Sequence, residues 1–216
     1  MPVQREAILK ALEEVRKAKK RNFTQSVDLV ANLTDIDLKK PENRINETVE
    51  LPHPAKKQTR VLVFASGDLA TRAQTAGADQ VLGREALDAL GGDKKAIKKL
   101  AQTTDSFIAE TTMMASVGKV LGPVLGPRGK MPMPVPPNAP IDNILTRQRR
   151  MIRVRNRDQL NIQSKIGSED MSDQELADNI QAVISRLESR LPKGLDNVRE
   201  LGVKTSMGPI VDIERK

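Results

Sequence analysis

The sequence contains no cysteine, tryptophan or tyrosine, only three phenylalanines and a single histidine. Without cysteine there can be no disulfide, thiolate zinc site, iron–sulfur cluster or cysteine nucleophile. One histidine, His53, excludes metal sites built from two or three imidazoles, and any imidazole base would have to be that residue. Phe23, Phe64 and Phe107 are the only aromatics, too few for the multi-ring stacking platform of many single-strand binders. No apolar run approaches the ~18 residues of a membrane helix, and the opening Met1-Pro2-Val3-Gln4-Arg5-Glu6 lacks an apolar signal core. A cytoplasmic protein without a membrane partner is the expectation.

What is present is charge. The 216 residues include 36 lysines and arginines against 28 acids, a net charge of +8. A surplus of that size attracts polyanions. The length allows one or two domains.

The first residues, 3 to 20, read as a helix with Ile8, Leu12 and Val15 on one face. It runs into Arg16-Lys17-Ala18-Lys19-Lys20-Arg21, more cations than a helix C-terminus needs, which makes a phosphate contact plausible. Val27, Leu29, Ala31 and Leu33 alternate with less apolar residues and predict a half-buried strand. Residues 34 to 44, with Pro41, read as a loop. Residues 48 to 51 restart a strand, and Pro52-His53-Pro54 breaks it beside Lys56-Lys57.

From Arg60 the texture changes. Val61-Leu62-Val63-Phe64-Ala65 is a continuous apolar run, as in a strand covered on both faces. Helix and strand signals then alternate to about residue 120: helices at 69–75, 84–90, 94–100 and 111–120, strands at 79–82 and 107–109. That rhythm predicts a mostly parallel α/β domain. Residues 121 to 140, LGPVLGPRGKMPMPVPPNAP, read as one long Pro/Gly-rich loop, and 141 to 150 as a short helix.

Beyond it, Ile152 and Val154 alternate with Arg153, Arg155 and Arg157. Ile162 and Ile166 alternate with Asn161, Gln163 and Lys165. The pair reads as a hairpin turning near Asp158-Gln159, apolar on one face and basic on the other. Ser172-Asp173-Gln174-Glu175 is a capping box that opens a long amphipathic helix ending at Pro192. Residues 198 to 214 are strand-like, interrupted at Gly202 and Gly208.

The two ends share one texture and the middle has another. The predicted fold is an α+β split domain, an antiparallel sheet with helices from residues 1–57 and 151–216, with a Rossmann-like α/β domain inserted at 58–150. Two crossings of the chain would form the hinge.

No constellation supports catalysis. Gly126-Pro127-Arg128-Gly129-Lys130 fails as a phosphate loop, because Val124 stands where glycine is needed and Met131 follows the lysine. His53 has no serine or acid arrangement beside it, and most carboxylates pair with cations at helical spacing. No cofactor or metal motif is present. The segment Thr205-Ser206-Met207-Gly208-Pro209 differs from its surroundings. It sets hydroxyls, a thioether and a glycine inside an apparent strand, where glycine permits close approach of another backbone or a ligand. Beside a basic-faced hairpin this suits RNA recognised by shape and backbone contacts.

Five separated segments carry a resemblance: Leu-Pro-His at 51–53, Leu-Gly-Pro-Arg-Gly-Lys-Met-Pro at 125–132, Arg-Asn at 155–156, Leu-Ala-Asp-Asn-Ile at 176–180 and Ser-Met-Gly-Pro at 206–209. Together they resemble the stalk protein of the large ribosomal subunit, the L1 family in its archaeal form. The resemblance implies the two-domain plan above and binding to the large-subunit ribosomal RNA stalk near the tRNA exit site. It also implies help in releasing discharged tRNA and repression of the chain's own mRNA. It places RNA contacts at Phe23, Arg155, Thr205, Ser206, Met207 and Gly208. It implies no enzyme activity and no cofactor, and a monomer off the ribosome. Two departures stand out: Ser168 replaces a lysine after Gly167, and Pro54 replaces a glycine after Leu-Pro-His. The competing readings are a non-ribosomal RNA-binding protein of the same fold and a nucleotide-dependent enzyme using the inserted domain.

Overall fold

The computed structural model describes residues 3–19, 21–38, 40, 43–55, 59–156 and 159–214. Met1, Pro2, Lys20, Pro41, Lys56, Lys57, Arg157 and Asp158, named above, lie outside the described residues. The chain divides into two compact units, Met1–Lys57 with Arg150–Lys216, and Gln58–Arg149.

The first unit opens with α1 (Arg5–Arg16), followed by β1 (Ser26–Leu33) and β2 (Asn46–Glu50). After the second unit the chain returns through β7 (Met151–Arg155), β8 (Asn161–Ser168), α7 (Asp173–Arg190), β9 (Val198–Thr205) and β10 (Val211–Asp212). Four strands form an antiparallel sheet in the order β10-β9-β1-β8, and β2 pairs with β7 in a separate two-stranded sheet. Val27, Leu29, Ala31 and Leu33 of β1 are buried, as the alternation requires, and join Ile8, Leu12 and Val15 of α1 in one core. Leu176, Ile180, Val183, Ile184 and Leu187 of α7 complete it. The capping box at Ser172 forms in both directions and starts α7.

Two expectations are corrected here. The helix at the N-terminus stops at Arg16 rather than running to residue 20. Its last side chain turns inward on the fold. The Arg16 guanidinium donates to the carbonyls of Glu169 and Met171 and pairs with Asp173, so Arg16 is engaged within the protein. The predicted hairpin of residues 151–166 does not form either. Strand β7 pairs with β2 and β8 with β1, so the two consecutive strands enter different sheets. Alternation fixed their faces correctly. Partner choice was not encoded in it, because alternation specifies which side chains face the core and not which strand lies alongside.

In the second unit, β3 (Val61–Phe64), α2 (Gly67–Thr75), β4 (Gln80–Leu82), α3 (Arg84–Leu90), α4 (Lys94–Thr103), β5 (Ser106–Glu110), α5 (Met114–Arg128), β6 (Met133–Val135) and α6 (Ile141–Arg150) follow in order. Only the last residue of α6 belongs to the first unit. The strands form a parallel sheet, β4-β3-β5-β6. Leu69, Ala73, Ile141 and Leu145 of α2 and α6 cover one face. Leu87, Ile97, Ala101, Val117, Leu121 and Leu125 of α3, α4 and α5 cover the other, where Phe64 and Phe107 stack at 6.3 Å.

The long loop expected at 121–140 is also corrected. Helix α5 continues through Pro123 and Pro127 to Arg128. The prolines are four residues apart and lie on the exposed face, while Val117, Leu121 and Leu125 anchor the opposite face in the core. Packing of that face outweighs the two missing N–H donors. The helix ends at Gly129 with φ of 68°, whose N–H bonds to Gly126 O while Lys130 N–H bonds to Leu125 O. The ammonium of Lys130 then donates to the carbonyls of Ala101 and Thr104 at the C-terminal end of α4. The segment that invites a phosphate-loop reading is thus two helix C-terminal caps.

Candidate nucleic-acid interface

Strand β9 ends at Thr205, and the chain turns through Ser206, Met207 and Gly208 before β10. Met207 does not pack into the core: it is 62% exposed. The turn is nevertheless held firmly. Ser206 N–H donates to Ser26 O at 3.0 Å, and Ser26 N–H donates back to the Ser206 hydroxyl at 3.2 Å. Met207 N–H donates to the Gln25 side-chain oxygen at 3.0 Å. Gln25 is itself buried and fixed, because its amide group donates to Glu169 at 2.8 Å and its N–H donates to the same carboxylate at 3.1 Å. Glu169 N–H returns a bond to Gln25 O. The Met207 backbone is therefore aimed by a chain of bonds running through the starts and ends of β1, β8 and β9.

Gly208 closes the turn, its N–H bonded to Thr205 O at 3.1 Å. A Cβ there would lie 2.3 Å from the Thr205 hydroxyl, so only glycine lets the chain fold this tightly over Thr205. The Thr205 side chain is buried beneath Gly208, and its hydroxyl has no hydrogen-bond partner among the described residues.

Around the turn stand exposed apolar groups. Phe23, two residues before Gln25, is 54% exposed, and Ile210, two residues after Gly208, is 53% exposed. With Met207 they make up three of the six large exposed apolar residues among those described. Gly202, opposite Asp212 in the β9–β10 pair, allows Ile210 to lie against the sheet; a Cβ there would meet Ile210 at 2.6 Å. Arg155 stands apart from this patch. It ends β7 in the two-stranded sheet, opposite Asn46. The structure therefore gathers Phe23, Ser206, Met207 and Gly208 around one end of the main sheet, with Thr205 beneath.

Gln25, Glu169 and Ile210 were missed from sequence. Only the register of β1 against β8 and β9 brings Gln25 and Glu169 to the turn, and no local pattern carries that register. The motif residues outside the patch prove structural. Asn179, fully buried in α7, accepts the His53 N–H and donates to the carbonyls of His53 and Ile166. The Leu-Pro-His and Leu-Ala-Asp-Asn-Ile segments thus meet. Asp178 beside it reaches Arg5 at 2.8 Å and the His53 ring at 3.4 Å. Asn156 accepts from Ile45 N–H at 2.7 Å and ties the end of β7 to the entry of β2. Gly167 lets α7 sit close on β8, since a Cβ would fall 2.5 Å from Leu176.

In an open parallel sheet, ligands bind at the C-terminal ends of the strands where strand order reverses, here between β3 and β5. That position holds the buried carboxylate of Glu110. It accepts from Thr112 Oγ1 at 2.6 Å and from both the N–H and hydroxyl of Ser66 at 2.9 and 2.8 Å. These bonds, that from Thr112 foremost, hold the carboxyl below its ordinary range against the opposing effect of burial. The donors that would cradle a phosphate are already engaged by the protein's own anion.

The model of the ribosomal protein L1p/L10e family matches residues 15–209. The chain belongs to this family. It is 48% identical over 208 residues to the large ribosomal subunit protein uL1 of Methanocella arvoryzae, covering 96% of each chain. It is 45% identical to that of Methanobrevibacter smithii, over 95% of this chain and 98% of the relative. The corresponding figure for Hyperthermus butylicus is 46%, over 98% of both. The resemblance drawn from five short segments thus extends along nearly the whole L1-family chain. An enzyme built on the inserted unit is thereby set aside, since these relatives are structural ribosomal proteins.

Proposed function

We propose that this chain is a structural protein of the cytoplasmic large ribosomal subunit that binds the ribosomal RNA stalk through the turn Ser206–Met207–Gly208 and Phe23. The observation that carries this reading is the combination of rigidity and exposure at Met207. An exposed thioether in water gains nothing by being held, yet seven hydrogen bonds run through its turn and the Gln25–Glu169 pair behind it. A surface fixed in advance loses little entropy when it meets a folded RNA, and glycine at position 208 lets a sugar or backbone come close. Arg155 supplies a phosphate contact from the neighbouring sheet. As a stalk protein near the tRNA exit site the chain helps discharged tRNA leave, and by binding a like-shaped segment of its own mRNA it represses its own translation. Off the ribosome it is a monomer. The terminal halves form the RNA-binding domain, and residues 58–150 the inserted arm.

The test compares Met207→Asp with Lys19→Ala, an exposed lysine outside the turn. Binding of each to a stalk RNA fragment and to an unrelated RNA is measured by filter retention at fixed salt. Met207→Asp should abolish the preference for the stalk, while Lys19→Ala should weaken both RNAs slightly and equally. Equal effects of the two substitutions would refute the patch.

A further inference from the structure

We propose that the outer surface of helix α4 in the second unit is a second RNA-binding face, one that grips duplex phosphates without reading sequence. Its lysines, Lys94, Lys95, Lys98 and Lys99, are all exposed, and none forms an ion pair among the described residues. Their placement runs against the interests of the helix. Lys94 and Lys95 sit in the first turn, at the positive end of the helix dipole, where cations are unfavourable. Lys94 with Lys98 and Lys95 with Lys99 are like-charged pairs one turn apart, which repel. A merely solvated face would mix signs, as the Asp68–Arg72 pair on α2 does.

The surroundings reinforce the field. From Asp93 to Arg128 the chain has six basic residues and three acidic ones. The acids are committed to hydrogen bonds: Asp93 to the N–H groups of Lys95 and Ala96, Glu110 to Ser66 and Thr112, Asp105 to Arg60 N–H. Helix α5, packed beside α4, adds the exposed Lys119. Among the described residues, α4 is held in place independently of its lysines. Asp93 caps its N-terminus through the N–H groups of Lys95 and Ala96, Ile97 and Ala101 are buried, and Lys130 caps its C-terminus. The lysines are thus free to meet a ligand without loosening the helix. The face carries no aromatic, and beside its four lysines only one exposed amide, Gln102, so charge dominates it and its natural ligand is the regular phosphate array of a duplex. This inference rests on the reading of the chain as an RNA-binding protein, but not on the Met207 turn.

The test uses the full chain with Lys94, Lys95, Lys98 and Lys99 all changed to Gln, which keeps helix-forming side chains and removes the charge. Binding to a large-subunit ribosomal RNA transcript of a uL1-bearing relative is measured from 50 to 200 mM salt, beside an unrelated RNA of equal length. If the face holds phosphates, the slope of log affinity against log salt should fall by about 2 to 4, close to 0.9 per lost contact. Affinity at 50 mM should drop roughly 10- to 100-fold for both RNAs, leaving their ratio unchanged. The corresponding four-fold Lys→Arg variant should restore the slope. Unchanged slope and affinity in the Gln variant, as an acidic protein partner for this face would give, would overturn the proposal, as would loss in the Arg variant too. Should Met207→Asp leave the RNA ratio intact while the Gln variant loses slope, the turn would fail as the recognition site and the α4 face would stand.

Discussion

Removing the Asn179 side chain should unlatch the first unit where the chain leaves it. Pro52 and Pro54 have no N–H, so the His53 N–H is the one backbone donor across residues 52–54. Asn179 accepts it at 3.0 Å and donates back to His53 O at 2.7 Å. Its second donor goes to Ile166 O at 2.9 Å. Ile166 lies where the β1–β8 register skips a residue, since Val27 faces Gly167 and Asp28 faces Lys165, so its carbonyl needs a partner from outside the ladder. Asn179→Ala strands all three groups. The Ile166 carbonyl is deeply buried and incurs the full penalty, while water can partly serve His53. At about 1 to 3 kcal/mol per orphaned group, with two at the low end, the loss should be roughly 3 to 5 kcal/mol. That is a large share of the 5 to 15 kcal/mol typical of a domain. Urea unfolding followed by circular dichroism gives the loss, and amide exchange at His53 reports the latch directly. Asn179→Asp is the informative companion. It keeps the acceptor for His53 N–H but points a carboxylate oxygen at two carbonyls, so near neutral pH it should cost at least as much as alanine. A loss below about 1 kcal/mol in Asn179→Ala, with His53 still protected, would show that the latch is an incidental contact.

Two further outcomes test the second unit. The Glu110 carboxyl is held below its ordinary value of 4.5 by Thr112 and Ser66. A group whose folded pKa is depressed stabilises fully above its unfolded pKa and loses that contribution as pH falls through the folded one. The wild type should therefore lose stability below about pH 4.5 more steeply than Glu110→Gln, in thermal melts across pH 3 to 6; parallel profiles would refute the assignment. Lys130→Met should cost about 1 to 2 kcal/mol by uncapping α4 at Ala101 and Thr104, yet leave RNA affinity unchanged. Weaker RNA binding by a stably folded Lys130→Met chain would revive the phosphate-loop reading rejected above.

Much of this architecture is legible in the sequence wherever the information is local. The alternation in β1, the four-residue apolar run of β3 and the capping box of α7 each state their element, because burial of one face or both dictates a period. Errors arise where distant packing overrides local chemistry. Two prolines read as loop formers, but Val117, Leu121 and Leu125 fix α5 from its other face. Residues 151–166 read as a hairpin, but β1 and β2 capture its strands. The candidate site divides the same way. Met207 and Gly208 stand out by composition alone. Gln25 and Glu169, which aim them, do not, because a buried glutamine bonded across 144 positions leaves no trace in spacing.

The placement of charge and of exposed apolar groups in this molecule argues for separate sources of affinity and specificity. Met207, Phe23 and Ile210 surround a turn whose backbone donors are used within the protein: those of Ser206, Met207 and Gly208 are consumed by Ser26, Gln25 and Thr205. Such a turn has little to offer a phosphate. It can offer shape: a fixed protrusion of apolar side chains with hydroxyls at its base. Sugars and splayed bases of a particular RNA fold complement that, and a regular duplex does not. The lysines of α4 offer the reverse, charge without shape. On the proposed reading, salt weakens every RNA alike through such lysines, and discrimination between RNAs resides in the turn. On that reading a chain with three phenylalanines, two of them buried in the second unit, selects its RNA without a stacking platform, and rigidity around Met207 takes the platform's place.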